Sequence, residues 1–322
     1  MAITAPGRLD RAQAARGASG PPWPPLATPD ERRYYDGMTT GAVLEREEYI
    51  EQAYFFRVLR DRLANGMATQ DVLERIDQEI LSTTHLPYAI QFLSAELKHT
   101  GLLSSGFARL PHYFTPYQAF VARGAELETI RFPMDSALLV LQREAEYRAQ
   151  QPQSPGLFVY QFEVMSRNRL GYDDGLKAMT ADPFYDKDWS AFMDDLRRQV
   201  GIVDFADILY LRSEWYVRER RRQEPDYEPP FPPLFGEKEG KIARAHHERD
   251  PLYLFAALQR QLNYPEAPRP KARDDMGNKV ETLQARLREL EKRLKLLESE
   301  VKGQVDLSQF GKPEILADEP EV

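Results

Sequence analysis

No cysteine occurs in the 322 residues, which excludes disulfides, thiol nucleophiles, iron–sulfur clusters and Cys-based zinc sites. Long apolar runs are missing as well. The longest purely aliphatic stretch, Ala137 to Leu141, falls far short of a bilayer span, and Met1 through Arg16 carries arginines without an apolar h-region. The expectation is a soluble, cytoplasmic chain with no membrane partner. Nor is there a basic surplus. A formal net charge of −8 and an isoelectric point near 5.4 make nucleic acid an unexpected partner, because counterion release needs a basic face.

Catalytic signatures are equally sparse. The chain has no Gly-rich phosphate-cradling loop, no dinucleotide fingerprint and no serine-hydrolase elbow. Asp186, Lys187 and Asp188 open like a calcium-binding loop, but Ala191 stands where the sharp turn needs glycine and Arg197 where a bidentate glutamate is required. Asp188 is therefore read as a helix cap. No cofactor is expected.

What the sequence does carry is an apolar seam near its C-terminal end. Val280, Leu283, Leu287, Leu290, Leu294, Leu297 and Val301 recur alternately three and four residues apart, the 3.5-residue period of a coiled coil. With Val280, Leu287, Leu294 and Val301 at a, Arg286 and Arg293 fall at g, and Glu291 and Glu298 at e. In a parallel pair Arg286 meets Glu291 and Arg293 meets Glu298 across the interface, whereas a centred antiparallel register sets like charges together. Gly and Pro are absent from Lys279 to Lys302, and a lone helix of roughly 36 Å is only marginally stable in water. Association must supply the rest, with a parallel homodimer as the default.

The remaining chain predicts an all-α fold: an irregular multi-helix globular body followed by the C-terminal coiled-coil helix. Residues 1–38, rich in Pro, Gly and Ala and including Trp23 framed by prolines, read as a disordered tail. Residues 39–264 form the body, 265–277 a Pro-rich linker, 278–303 the coil and 304–322 an acidic disordered tail. Within the body, Leu44, Ile50, Tyr54, Phe55, Val58, Leu59 and Leu63 give a first helix whose polar face includes Glu45 and Glu48. Gly66 ends it. A second helix starts near Thr69 and carries Val72, Ile76 and Ile80, and a third starts near Pro87. Thr115 with Pro116, Asp135, and Ser154 with Pro155 mark further starts. Phe158 to Val164 alternates like a strand but is assigned to a helix because of its start signal. Two helices are expected between Asp188 and Gln223, then a rigid proline loop, a charged helix near Lys238 to His247 and an apolar one from Pro251 to Leu262.

Two alternatives to a purely structural role remain in the sequence. Glu96 and His99 form a Glu-x-x-His pair on the third helix, the spacing used in carboxylate–histidine metal bundles, although no second such pair exists. Arg218, Arg220, Arg221 and Arg222 make a dense cationic helix end that suits an anion, a nucleic acid or an acidic partner. His246 and His247 read as a helix terminus. The leading expectation is a non-enzymatic, homo-oligomeric scaffold or adaptor that self-associates through the coil and offers flexible ends to a protein partner.

Overall fold

The computed structural model describes residues 43–76, 78–127, 129 and 132–269, together with positions 284, 287, 290, 291 and 294. The chain divides into two units, Met1–Arg269 and Pro270–Val322. Among the described residues the first is all-helical, with thirteen helices and only isolated bridges, Val200 to Val203 and Ser213 to Phe235, in place of strands. In chain order these are α1 (Arg46–Ala64), α2 (Thr69–Ile76), α3 (Leu86–Thr100), α4 (Leu103–Arg109), α5 (Pro116–Glu126), α6 (Met134–Arg148) and α7 (Ser154–Asn168). They continue as α8 (Tyr172–Thr180), α9 (Lys187–Gln199), α10 (Phe205–Leu211), α11 (Glu214–Gln223), α12 (Glu237–Ala245) and α13 (Pro251–Leu262).

The central element is α7. Every residue from Gly156 to Met165 is buried, so this helix packs on all sides rather than along one stripe. That explains the ambiguity of Phe158 to Val164. A helix buried all round has no apolar period to read, and its Ser154–Pro155 start gave the correct answer. Ser154 itself is the first helical residue, and the cap position belongs to Gln153. Around α7 the aromatic side chains interlock. Phe162 stacks on Phe205 at 4.1 Å, and Phe158 touches Trp189, Phe192 and Phe235.

On the other side α1 packs most extensively against α6, burying Phe55, Phe56 and Leu59 completely; each such side chain contributes about 1.5–3 kcal/mol of transfer free energy. The stripe is rotated from the sequence reading. Glu48 and Glu51 are buried while Ile50 is exposed, because the two carboxylates accept hydrogen bonds from the backbone amides of His85 (2.8 Å) and Leu81 (3.2 Å). Thr115 and Gln118 form a reciprocal capping box at α5. At α9 the cap is Asp186, whose carboxylate accepts from the Trp189 amide at 2.9 Å, and not Asp188.

Three other expectations are corrected. The second helix stops at Ile76, and Ile80 is buried from the loop beyond it. The segment from Asp188 to Gln223 holds three helices rather than two, because Ser213 caps a new start by accepting from the Tyr216 amide. Arg212, just before it, turns its carbonyl to the amides of Leu234 and Phe235 at 2.8 and 3.1 Å, which docks the proline loop against the break. Gly240 of α12 seats there too: a Cβ would lie 2.3 Å from Ser213 Oγ and 2.7 Å from Trp215 Cβ. Finally, packing continues past the apparent linker start, since Ala267 is fully buried and the Pro268 carbonyl accepts from Asn168.

Buried phenols give the fold a pH limit. Burial raises Tyr117, Tyr160 and Tyr185 well above the ordinary phenol value and Tyr147 to about 12. A phenol whose folded pKa exceeds its unfolded value of about 10 stabilises the fold below that pH, and the contribution is lost as pH climbs through the folded value. Stability should therefore fall from about pH 10 upward, with tyrosinate absorbance appearing together with loss of helical circular dichroism. Tyrosines that all titrate near pH 10 in a protein with intact helices would contradict this packing.

Candidate functional site

The proposed seam lies in the second unit. Leu287, Leu290 and Leu294 are helical and expose 58%, 61% and 59% of their surface in the single chain, and Glu291 beside them is also helical and exposed. Val280, Leu283, Arg286, Arg293, Leu297, Glu298 and Val301 lie outside the described residues, as do the tails at 1–38 and 304–322. Three large aliphatic side chains on one side of a helix, all in water, make a surface that gains by meeting another apolar stripe.

Glu96 and His99 sit one turn apart on α3 but in different environments. Glu96 is buried, accepting hydrogen bonds from the Ser105 hydroxyl at 2.9 Å and from the Arg109 guanidinium, whereas His99 is exposed. Its carboxylate joins α3 to α4. The four arginines of α11 are also engaged. Arg218 donates to both carboxylate oxygens of Glu237 at 2.9 Å, Arg221 donates to the Tyr227 carbonyl, and Arg220 and Arg222 lie over the rings of Tyr227 and Trp215.

One constellation the sequence did not suggest joins Asp204, Asp207 and His247, whose ligand-type atoms all lie within 4.8 Å of one another. His247 Nδ1 stands 2.7 Å from Asp207 Oδ1. Asp204 is already occupied on both oxygens, by the amides of Ala206 and Glu248 at 3.1 and 2.7 Å. The cluster thus works as a clasp between the start of α10 and the end of α12, where His246 is the cap residue as the sequence suggested. A local pattern could not reveal it, since His247 and Asp204 meet only through the proline loop between them.

Arg148 is a fully buried cation. Its side chain is 1% exposed and pairs with Glu144 at 2.8 Å and with Asp182, both just as buried. Burial works against the guanidinium charge, and Asp182, Glu144 and Tyr49 together more than reverse that, holding its pKa above the usual arginine value. Desolvation pushes the Glu144 carboxyl up, partly offset by Arg148. Gln161 donates to Glu144 at 2.8 Å and accepts from Tyr185 at 2.8 Å, so the network runs from α6 through α7 to the loop before α9. Glu144 Oε2 and Arg148 Nη1 are left buried without a hydrogen-bond partner among the described residues, and the ion pairs themselves tie α6, α7 and the loop before α9 together.

A concavity of about 490 Å³ lies among α4, α5 and α8 and is mainly apolar, with Phe107, Phe114 and Phe120 inside and Arg123 and Lys177 among its polar groups. No described helix is long and apolar enough to cross a membrane. No protein-family model, curated protein or solved structure matches the chain.

Two substitutions separate these roles. Arg148→Met strands two buried carboxylates and should cost about 3–5 kcal/mol in urea unfolding, against less than about 0.5 for Ile202→Ala on the exposed surface. The loss should shrink as pH is lowered toward 5, because one of the stranded carboxyls then binds a proton in the folded state. An Arg148→Met protein as stable as the parent would remove the network from the account. On α3, Glu96→Ala should destabilise by about 1–3 kcal/mol and His99→Ala by less than about 0.5, checked by the same unfolding curves; equal effects would mean the two side chains act as a unit.

Proposed function

We propose that this chain is a non-enzymatic, cytoplasmic, homo-oligomeric scaffold whose helical body is brought together with a second copy through a parallel C-terminal coiled coil. The observation that carries the reading is the exposure of Leu287, Leu290 and Leu294 along one helix. A heptad stripe of this kind is stable in water only when another helix covers it. Support also comes from the body, where the buried carboxylates of Glu48, Glu51, Glu96 and Glu144 each hold a backbone amide, a hydroxyl or a guanidinium. Those bonds maintain architecture. The e and g charges favour like orientation of the two copies.

Light scattering tests the assembly directly. The parent should weigh a whole multiple of the 37.2 kDa subunit, and Leu290→Pro, which removes a backbone donor and clashes within the helix, should give folded monomers with the body's unfolding transition unchanged. Because the chain has no cysteine, a single Gly303→Cys substitution reports orientation: air oxidation should link two copies covalently only when the coil is parallel. A parent that stays at one subunit mass at about 50 µM would overturn the proposal.

A further inference from the structure

A second cleft, about 270 Å³, opens between α9, the α10–α11 break and the proline loop. Its walls are aromatic: Phe192 from α9, Tyr216 from α11, and Tyr227 and Phe231 from the loop. Into this apolar space the fold places two opposite charges. Arg212 lies between the rings of Phe192 and Phe231, 5.2 and 4.9 Å from their centroids, and Asp195 lines the same cleft.

Neither charge is matched within the described protein. Arg212 and Asp195 are both half-buried, yet neither forms an ion pair or a side-chain hydrogen bond among the described residues, and Arg212 Nε is buried with no partner. Burial holds Arg212 below the usual arginine pKa, with Asp195 and Asp188 opposing the shift. Arg212 and Asp195 therefore feel each other electrostatically without meeting. Arg148 and Arg109, elsewhere in the body, both have their carboxylates in place, and a half-buried guanidinium without one is costly unless something else supplies it.

Arg212 lines the cleft with no carboxylate paired to it among the described residues, and a guanidinium takes a carboxylate as its planar, two-oxygen partner. Asp195, lining the same cleft, suits a cation. The walls ask for one flat apolar group, and the volume admits about one ring system, near the lower limit for small-molecule sites. Anion, cation and aromatic body on one small skeleton describe an aromatic α-amino acid. We infer that the cleft between α9 and the proline loop is a binding site for a free aromatic α-amino acid, with its carboxylate on Arg212, its ammonium on Asp195 and its ring among Phe192, Tyr216 and Phe231.

The end of the proline loop is anchored beside the cleft by the two hydrogen bonds to the Arg212 carbonyl and by the Glu214 amide donating to the Phe235 carbonyl at 2.8 Å. Binding here is independent of the coil, so the scaffold reading and this one stand or fall separately.

Calorimetric titration of the full chain with L-phenylalanine, L-tyrosine and L-tryptophan tests the assignment. At least one should bind saturably, one per chain, with a Kd on the order of 10–1,000 µM. 3-Phenylpropanoate, which lacks the ammonium, and 2-phenylethylamine, which lacks the carboxylate, should each bind about tenfold or more weakly than L-phenylalanine. Arg212→Gln and Asp195→Asn should each lose a similar factor. Asp195 makes no bond within the described fold, so Asp195→Asn remains informative even if Arg212→Gln unfolds. The inference is overturned by no saturable binding up to about 10 mM, by binding unchanged in the folded variants, or by 3-phenylpropanoate binding as tightly as the amino acid.

Discussion

Arg148 is the interaction on which the body depends. It sits at the last turn of α6 and holds Glu144, one turn back, together with Asp182 from the loop after α8. Tyr49 of α1 and Phe184 lie 6.0 and 5.6 Å from it with their rings toward the guanidinium, so segments far apart in sequence converge on one cation. In a low-dielectric interior the two carboxylates would repel each other and stay hydrated without it. The packing of α1 on α6 and the placement of α9 both follow from that cation being in position. Gln161 carries the same constraint into α7 through its bonds to Glu144 and Tyr185.

A second rule of this fold is that glutamates cap helices at long range. α3 and α4 have His85 and Leu102 at their cap positions, neither of which supplies a side-chain cap. Glu48 serves the His85 amide from α1, and Glu126 at the end of α5 serves the amides of Leu103 and Ser104 at 2.6 and 3.2 Å. Orphan amides at helix starts need an acceptor from somewhere, and here tertiary structure provides it. The same bonds fix how α1, α3, α4 and α5 are arranged, since each acceptor reaches its helix start only in one relative placement.

This division decides what could be read from the chain alone. Helix starts with local chemistry were legible, as with Thr115 and Pro116 at α5 or Pro251 at α13, because cap and first turn lie within a few residues. α4 was not, since its cap lies on another helix, and neither was α8, a short amphipathic turn flanked by glycine. Glu48 was assigned to a solvated face because composition gives no sign that a distant amide will call it inside. The seam leucines were legible from spacing, whereas the meeting of Arg212 and Asp195 in one cleft was not: one ends α10 and the other sits mid-helix in α9, and the aromatic walls come from α9, α11 and the proline loop.

The end of the body has a mechanical consequence. Residues 262–268 are laid along α6 and α7 by side chains rather than by helix: Tyr147 donates to the Leu262 carbonyl, Tyr264 to Glu163, Arg143 to the Glu266 carbonyl and Asn168 to that of Pro268. Tension arriving along the backbone beyond Arg269 therefore meets the Asn168 bond first and the Arg143, Tyr264 and Tyr147 bonds after it. The strap works as a graded fuse, giving way residue by residue while Arg148 and its carboxylates stay shielded.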